Sequence, residues 1–386
     1  MNVALSATQR HGVVFLLAAS IASSIGGLPF NTLPLLIGGF ADSLQLGAAA
    51  LGVLGSACTG GYLVSTLFGP LWVERANWQI ATIVASIFCA AALALSGHSN
   101  GTPYMSMAVF GFAAGLMHSL GMRMVGEMAN KERVFGVRLL TELVLVSLLL
   151  MLFPIVVARH GLPGGLTLLA GAVLMMALSA GALPRGPVLR QDAHVAASRV
   201  DRARMASGLY ALGIFVLFAC GQVALWLFIE RIGRERGTTA EQLGLLFSVL
   251  KIVGGASAAF VALLGSRMGQ RLPHWLVLGG IVVGVALLSQ RDSFAVFAGG
   301  AWLWEAAFTI GCVYQTAAIA RLDASRRLIV LIPAAFAVSA FVGPALGGYL
   351  VERIGFAALF AVAVMCAIVP AIAYTRFART GSQVAE

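Results

Sequence analysis

Apolar residues along this chain come in long unbroken runs, separated by short polar breaks, with neither a two-residue nor a clean 3.6-residue alternation. Such runs predict helices that are apolar on all sides, as a bilayer demands, and a spanning helix needs about 20 of these residues. Twelve can be drawn, at 12–39, 48–72, 78–97, 103–125, 134–158, 165–183, 206–229, 242–265, 274–290, 293–319, 328–350 and 355–375. The first is far longer than a secretory signal core, so it reads as a span and not as a cleavable leader. One polar stretch stands apart: Pro184 to Met205 holds Arg185, Arg190, Arg199, Arg202 and Arg204 against Asp192 and Asp201. It divides the chain into 1–183, a linker at 184–205, and 206–386. The two flanks echo each other. Arg133 and Arg159 recur as Arg327 and Arg353, each 194 residues on, and the polar loop at Glu74-Arg75-Ala76-Asn77 is answered by Ser266-Arg267-Met268-Gly269. An echo at half the chain length predicts two homologous six-helix halves.

Composition supports the bilayer. The chain of 386 residues is 60% hydrophobic and 10% charged, against roughly 25% charged in soluble domains. The net charge of +10 is spread between apolar runs and not gathered in a patch, which argues against nucleic acid and for the positive-inside rule. With a cytosolic N-terminus, sixteen basic residues fall in inner loops and tails, and six (Arg159, Arg231, Arg234, Arg236, Arg291, Arg353) in outer loops. Both termini and the linker are therefore expected inside. The five cysteines all lie within apolar runs, with no spacing suited to zinc or a disulfide framework, so neither a metal nor a cofactor is expected.

Six helices, a basic linker and six helices with an internal echo resembles the major facilitator superfamily. That family carries a Gly-x-x-x-Asp-Arg-x-Gly-Arg type signature after its second helix. Here the matching stretch is Gly69-Pro70-Leu71-Trp72-Val73-Glu74-Arg75-Ala76-Asn77, with Glu74 at the acidic place, Arg75 at the basic one and Asn77 at the glycine place. Asparagine tolerates a left-handed turn better than most residues. The second copy, Gly265-Ser266-Arg267-Met268-Gly269-Gln270-Arg271, keeps Arg267 and Gly269 but loses the acid. The resemblance implies an all-α membrane protein of twelve transmembrane helices in two pseudo-symmetric six-helix bundles, with these loops gating the cytosolic side. It implies a monomeric secondary transporter in a plasma membrane, such as the bacterial inner membrane, and not an enzyme. Drug antiporters of the family carry an arginine in the fourth helix and a Gly-Pro-rich fifth helix. This chain has Gly111 and a lone Pro154 there.

Ionisable groups inside the membrane cost about 2.5–3.5 kcal/mol each at a helix centre, so they mark pathways or pairs. Glu142, Lys251 and Glu305 are the clear cases. Lys251 and Glu305 lie at similar depth and are expected to pair, with Glu305 and Glu142 as candidate proton carriers. Glu142 can alternatively pair with Arg138 in the next turn, or with Arg123. His118 could join Glu142. Asn31 sits between Pro29 and Pro34, where the first helix is expected to be irregular, and Gln222 lies at the repeat-equivalent place of the seventh. These two amides, with Lys251, Trp226, Tyr314 and Gln315, form the candidate solute-binding set, and Trp302 and Trp304 extend its aromatic wall. The expected function is proton-coupled secondary transport of a small organic solute. A proton-driven drug or metabolite efflux antiporter, or a polytopic protein that transports nothing, stands as the alternative. Its partners are the solute, protons and the bilayer.

Overall fold

A computed structural model of the chain describes residues 7–73, 75–98, 103–128, 131–186, 202–269, 271–290, 293–322 and 332–382. Among them are eleven α-helices: α1 (Ala7–Leu44), α2 (Ala48–Trp72), α3 (Trp78–His98), α4 (Tyr104–Glu127), α5 (Lys131–Ala177), α6 (Arg202–Arg234), α7 (Ala240–Leu264), α8 (Leu272–Ser289), α9 (Phe294–Leu322), α10 (Ile332–Arg353) and α11 (Phe356–Ser382). Each contains a stretch long and apolar enough to cross a membrane. The fifth is two spans in one. At Gly161 the backbone turns to φ 69° and ψ −179°, a conformation glycine adopts at little cost. Pro163, two residues on, cannot donate a helical hydrogen bond. The break thus lies at Gly161 itself, and the two arms of α5 supply the fifth and sixth spans. The chain is a multi-pass, all-α membrane protein.

Two expectations about helix shape need correction. α1 runs unbroken from Ala7 to Leu44, through both Pro29 and Pro34. Along it, Ser20, Ser24, Asn31 and Thr32 each donate to the carbonyl four residues back, at 2.7–2.9 Å. Polar side chains satisfied this way are compatible with a buried helix. The seventh span does not end at residue 229, because α6 continues to Arg234. Glu230–Arg234 at 3.0 Å and Arg231–Glu235 at 3.8 Å are i,i+4 pairs that carry the helix onward.

The chain forms two compact units, Met1–Leu33 with Ala57–His194, and Pro34–Ser56 with Val195–Glu386. One boundary falls inside the expected linker; the described part of that linker is 184–186, and α6 already begins at Arg202. The other boundaries fall within α1 and α2, so the segment 34–56 packs with the second unit. In the first unit α3 lies against α4 and α5, and α2 crosses α4 where Gly61 meets the carbonyl of Ala108 and Gly111 that of Cys58. In the second, α6 is flanked by α9, α10 and α11, and α8 crosses α9 at Gly284 and Gly300. Small residues at such crossings let backbones touch, which in lipid replaces the hydrophobic effect as the source of association.

Candidate functional site

In the second unit, α7 and α9 each carry one charge near the helix middle. Lys251 Nζ lies 3.9 Å from Glu305 Oε1, and the two side chains are only 14% and 10% exposed. The expected pair forms. Lys251 Nζ also stands 4.2 Å above the ring of Trp226 on α6, so the ammonium is held between a carboxylate and an aromatic face. The wall behind it is a stack: Trp226 on Trp304 at 6.2 Å, and Trp304 on Phe308 at 5.7 Å, with Phe247 edge-on to Trp226. On the far side Glu305 packs against Gly254, where any β-carbon would crowd the carboxylate.

The amides expected in this set have different fates. Gln222 is fully buried; its Oε1 accepts from Trp304 Nε1 at 2.8 Å and its Nε2 donates to the Ala363 carbonyl at 2.8 Å. It ties α6, α9 and α11 together and fixes the tilt of the Trp304 ring. Gln315 is equally buried, yet neither end of its amide has a hydrogen-bond partner among the described residues. Tyr314 lines an apolar cavity of about 130 Å³ together with Phe260, Pro273 and Ile310. Trp302 spends its indole N–H on the Leu246 carbonyl at 3.0 Å.

The first unit holds a separate polar cluster. Arg138 Nη2 pairs with Glu142 Oε2 at 2.8 Å, and Arg138 Nε donates to Ser23 Oγ at 2.8 Å. Asn31 Nδ2 donates to Glu142 Oε1 at 3.3 Å as well as to the Gly27 carbonyl. The i,i+4 alternative for Glu142 is therefore the arrangement found, with Asn31 added. Gly27 faces the Glu142 carboxylate and leaves no room for a side chain. His118 lies beside this cluster, its ring 5.7 Å from that of Tyr62, which in turn meets Phe30 at 4.6 Å. Its backbone presses on Gly26. Ser23 and Gly27 escaped the sequence reading; their i,i+4 spacing with Asn31 put them on one face of α1, a weak signal in a helix rich in serine and glycine.

Of the loop residues expected to gate, Glu74 lies outside the described residues. Arg75 is exposed. Asn77 does not occupy a left-handed turn. Its Oδ1 accepts from the backbone N–H groups of Gln79 and Ile80 at 3.1 and 3.2 Å, so it caps the start of α3. The same helix start is tied to the end of the first half, through Trp78 N–H to the Arg185 carbonyl at 3.1 Å and Gln79 Nε2 to the Leu183 carbonyl at 2.7 Å. In the second copy Arg267 is exposed, and Gly269 has φ +69°, the conformation for which glycine is suited.

No family model and no curated protein matches the sequence. Solved structures do match. The nucleoside transporter NupG superposes with a TM-score of 0.72 at 13% identity, covering 94% of this chain and 98% of that one. Its D323A mutant gives 0.71 at 14%, covering 94% and 99%. A bacterial homologue of the human lysosomal transporter Spinster, solved inward-facing and unoccupied, gives 0.68 at 14%, covering 96% and 97%. At such identities the likeness is one of fold.

Proposed function

We propose that this chain, which has the fold of the major facilitator transporters, is a secondary transporter that moves a small organic solute and couples it to protons. The observation that carries the reading is the Lys251–Glu305 pair on the Trp226 face. Charges placed near the middle of two spans are costly, and the protein keeps both, nearly enclosed. A proton on Glu305 dissolves the pair and leaves Lys251 on Trp226 with an ammonium available to a solute anion. Loss of the proton restores the pair and expels that anion. The step needs nothing but a proton and a solute. Gln315, its amide buried without a hydrogen-bond partner among the described residues, offers a donor and an acceptor to the same class of solute, a small anion or zwitterion. Gln222 supports the wall by holding Trp304. Glu142, tied to Arg138 and Asn31, is a second proton carrier on the first unit. Arg75, Arg267 and Gly269 belong to the gating loops, with Asn77 fixing where α3 begins, and alternating access exposes the solute site to each side in turn. The excess of basic residues in the inner loops supports cytosolic termini, and the protein is read as a monomer in a bacterial inner membrane by its resemblance to the superfamily.

The test starts from binding. Purified protein is melted with nucleosides, amino acids and carboxylates, because a solute that binds only the folded state raises the melting temperature. Because NupG is a nucleoside transporter, uridine and adenosine are included in the panel beside the anions and zwitterions that Lys251 favours. The best stabiliser is then followed into proteoliposomes. Wild type should accumulate it under an imposed pH gradient; Glu305→Gln should still exchange it across the membrane but lose gradient-driven accumulation. Accumulation that survives in Glu305→Gln removes the coupling role from this pair, and a panel in which nothing binds or moves overturns the transport reading.

A further inference from the structure

Just before its last turn, α6 carries a carboxylate that the solute site does not use. Glu230 is 3% exposed, and the α1 segment Pro34–Leu44 packs over it. Its carboxylate is pressed against the backbone of Gly38, where a β-carbon would overlap it. Oε1 accepts from Arg234 Nε at 3.0 Å. Oε2 is buried with no hydrogen-bond partner among the described residues. One turn further along α1, Asp42 accepts from Arg231 Nη1 at 2.7 Å, a pair that is 54% and 35% exposed. The other charges nearby are engaged elsewhere. Arg231 also reaches Glu235 at 3.8 Å, Glu352 on α10 accepts from the Ala49 N–H at 2.8 Å, Arg353 lies over the Tyr349 ring, and Glu305 on α9 is with Lys251. The counter-charge in direct contact with Glu230 is therefore Arg234, itself 30% exposed, on one oxygen.

We propose that Glu230 is a proton-binding site, and that its proton holds the Pro34–Leu44 end of α1 docked on α6. The geometry sets the direction. While α1 is docked, Gly38 walls Oε2 off from water, and a second negative lone-pair set faces backbone with nothing to donate to it. Burying an ionised carboxylate so incompletely paired is costly; burying the protonated acid costs far less. When the α1 end lifts, Oε2 meets water and the ionised form is the favoured one. The docked state thus binds the proton more tightly than the lifted one, and by linkage a proton favours docking by the same factor. A glycine at 38 is what permits so close a wall. The exposed Asp42–Arg231 pair adds a contact to the docked state that does not depend on this proton. For its place in a transport cycle the inference rests on the function proposed above: a proton taken from the outer medium would close this end.

Disulfide trapping tests it without any solute. In a background with the five native cysteines replaced by alanine or serine, Asp42→Cys and Arg231→Cys are oxidised with copper phenanthroline between about pH 5 and pH 8. Thiol oxidation alone accelerates as pH rises, because the thiolate reacts. With Glu230 present, the cross-link yield should nevertheless fall severalfold toward the alkaline end. With Glu230→Gln, a permanent mimic of the acid, it should stay high or climb. Infrared difference spectra of protein with Asp42 and Arg231 intact, across the same window, should show a protonated-carboxyl band that Glu230→Gln removes. A yield that climbs with pH in both backgrounds, or a carboxyl band unchanged by Glu230→Gln, overturns the proposal. Failure of the transport reading would appear in the proteoliposome assay instead and leave these two readouts untouched.

Discussion

Replacing the partners of the Lys251–Glu305 pair one at a time should cost unequal amounts, and the inequality is fixed by Trp226. At 3.9 Å the Coulomb attraction is about 4 kcal/mol for an effective dielectric constant near 20. Most of that offsets the burial of two charges, so the intact pair adds little net stability, whereas stranding one partner costs about 3–5 kcal/mol. Lys251→Met leaves Glu305 with no other charged partner among the described residues and should incur that full loss at a pH alkaline enough to keep the carboxylate ionised, and less where it can take a proton. Glu305→Gln leaves Lys251 4.2 Å above the Trp226 ring. A desolvated cation on an indole face is worth about 2 kcal/mol, so the loss should be only about 1–3 kcal/mol. The double variant buries no charge and should lie within about 1 kcal/mol of wild type. The assay is reversible unfolding of purified protein in mixed micelles, run as a double-mutant cycle, with Trp226→Leu added to each variant. Trp226→Leu should erase the difference between the two singles. Single losses that simply add in the double variant would show that the two groups do not interact, and equal single losses would refute the part assigned to the ring.

Asn77→Ala should destabilise the start of α3 by about 1 kcal/mol, the usual worth of an N-cap, and Asn77→Asp should restore it; thermal melts of the two variants check this. Ser56→Ala tests a contact between α2 and α10. Its hydroxyl donates to the Phe341 carbonyl at 2.6 Å and accepts from the Ala345 N–H at 3.1 Å, on either side of Pro344 in α10. The loss should be about 0.5–1.5 kcal/mol with faster amide exchange at Ala345, and Ser56→Thr should recover it; unchanged exchange would show that the hydroxyl is not holding that turn.

What could be read from the sequence follows from what a bilayer makes decisive. Apolar length alone marks a span, so the two arms of α5 were drawn as separate spans at 134–158 and 165–183, on either side of the break that the structure places at Gly161. Mid-span charges stand out for the same reason, which is why Lys251, Glu305 and Glu142 could be named. Which way a residue faces could not be read, because lipid and protein interior are both apolar and the helices carry no polar stripe to orient them. Gln222 and Gln315 look alike as sequence. Only the fold brings Trp304 and the Ala363 carbonyl, 82 and 141 residues away, onto the first, while the second has no hydrogen-bond partner at either end among the described residues. Glu230 was missed for the opposite reason. In a run of Glu-Arg-Ile-Gly-Arg-Glu-Arg at the end of a span, charge density argues for a loop, and the i,i+4 order that argues for helix is the weaker signal. What buries Glu230 is Gly38 on α1, a residue without a side chain and 192 positions earlier in the chain. A site walled by bare backbone leaves no mark on composition, periodicity or charge, so it becomes visible only once the helices are packed.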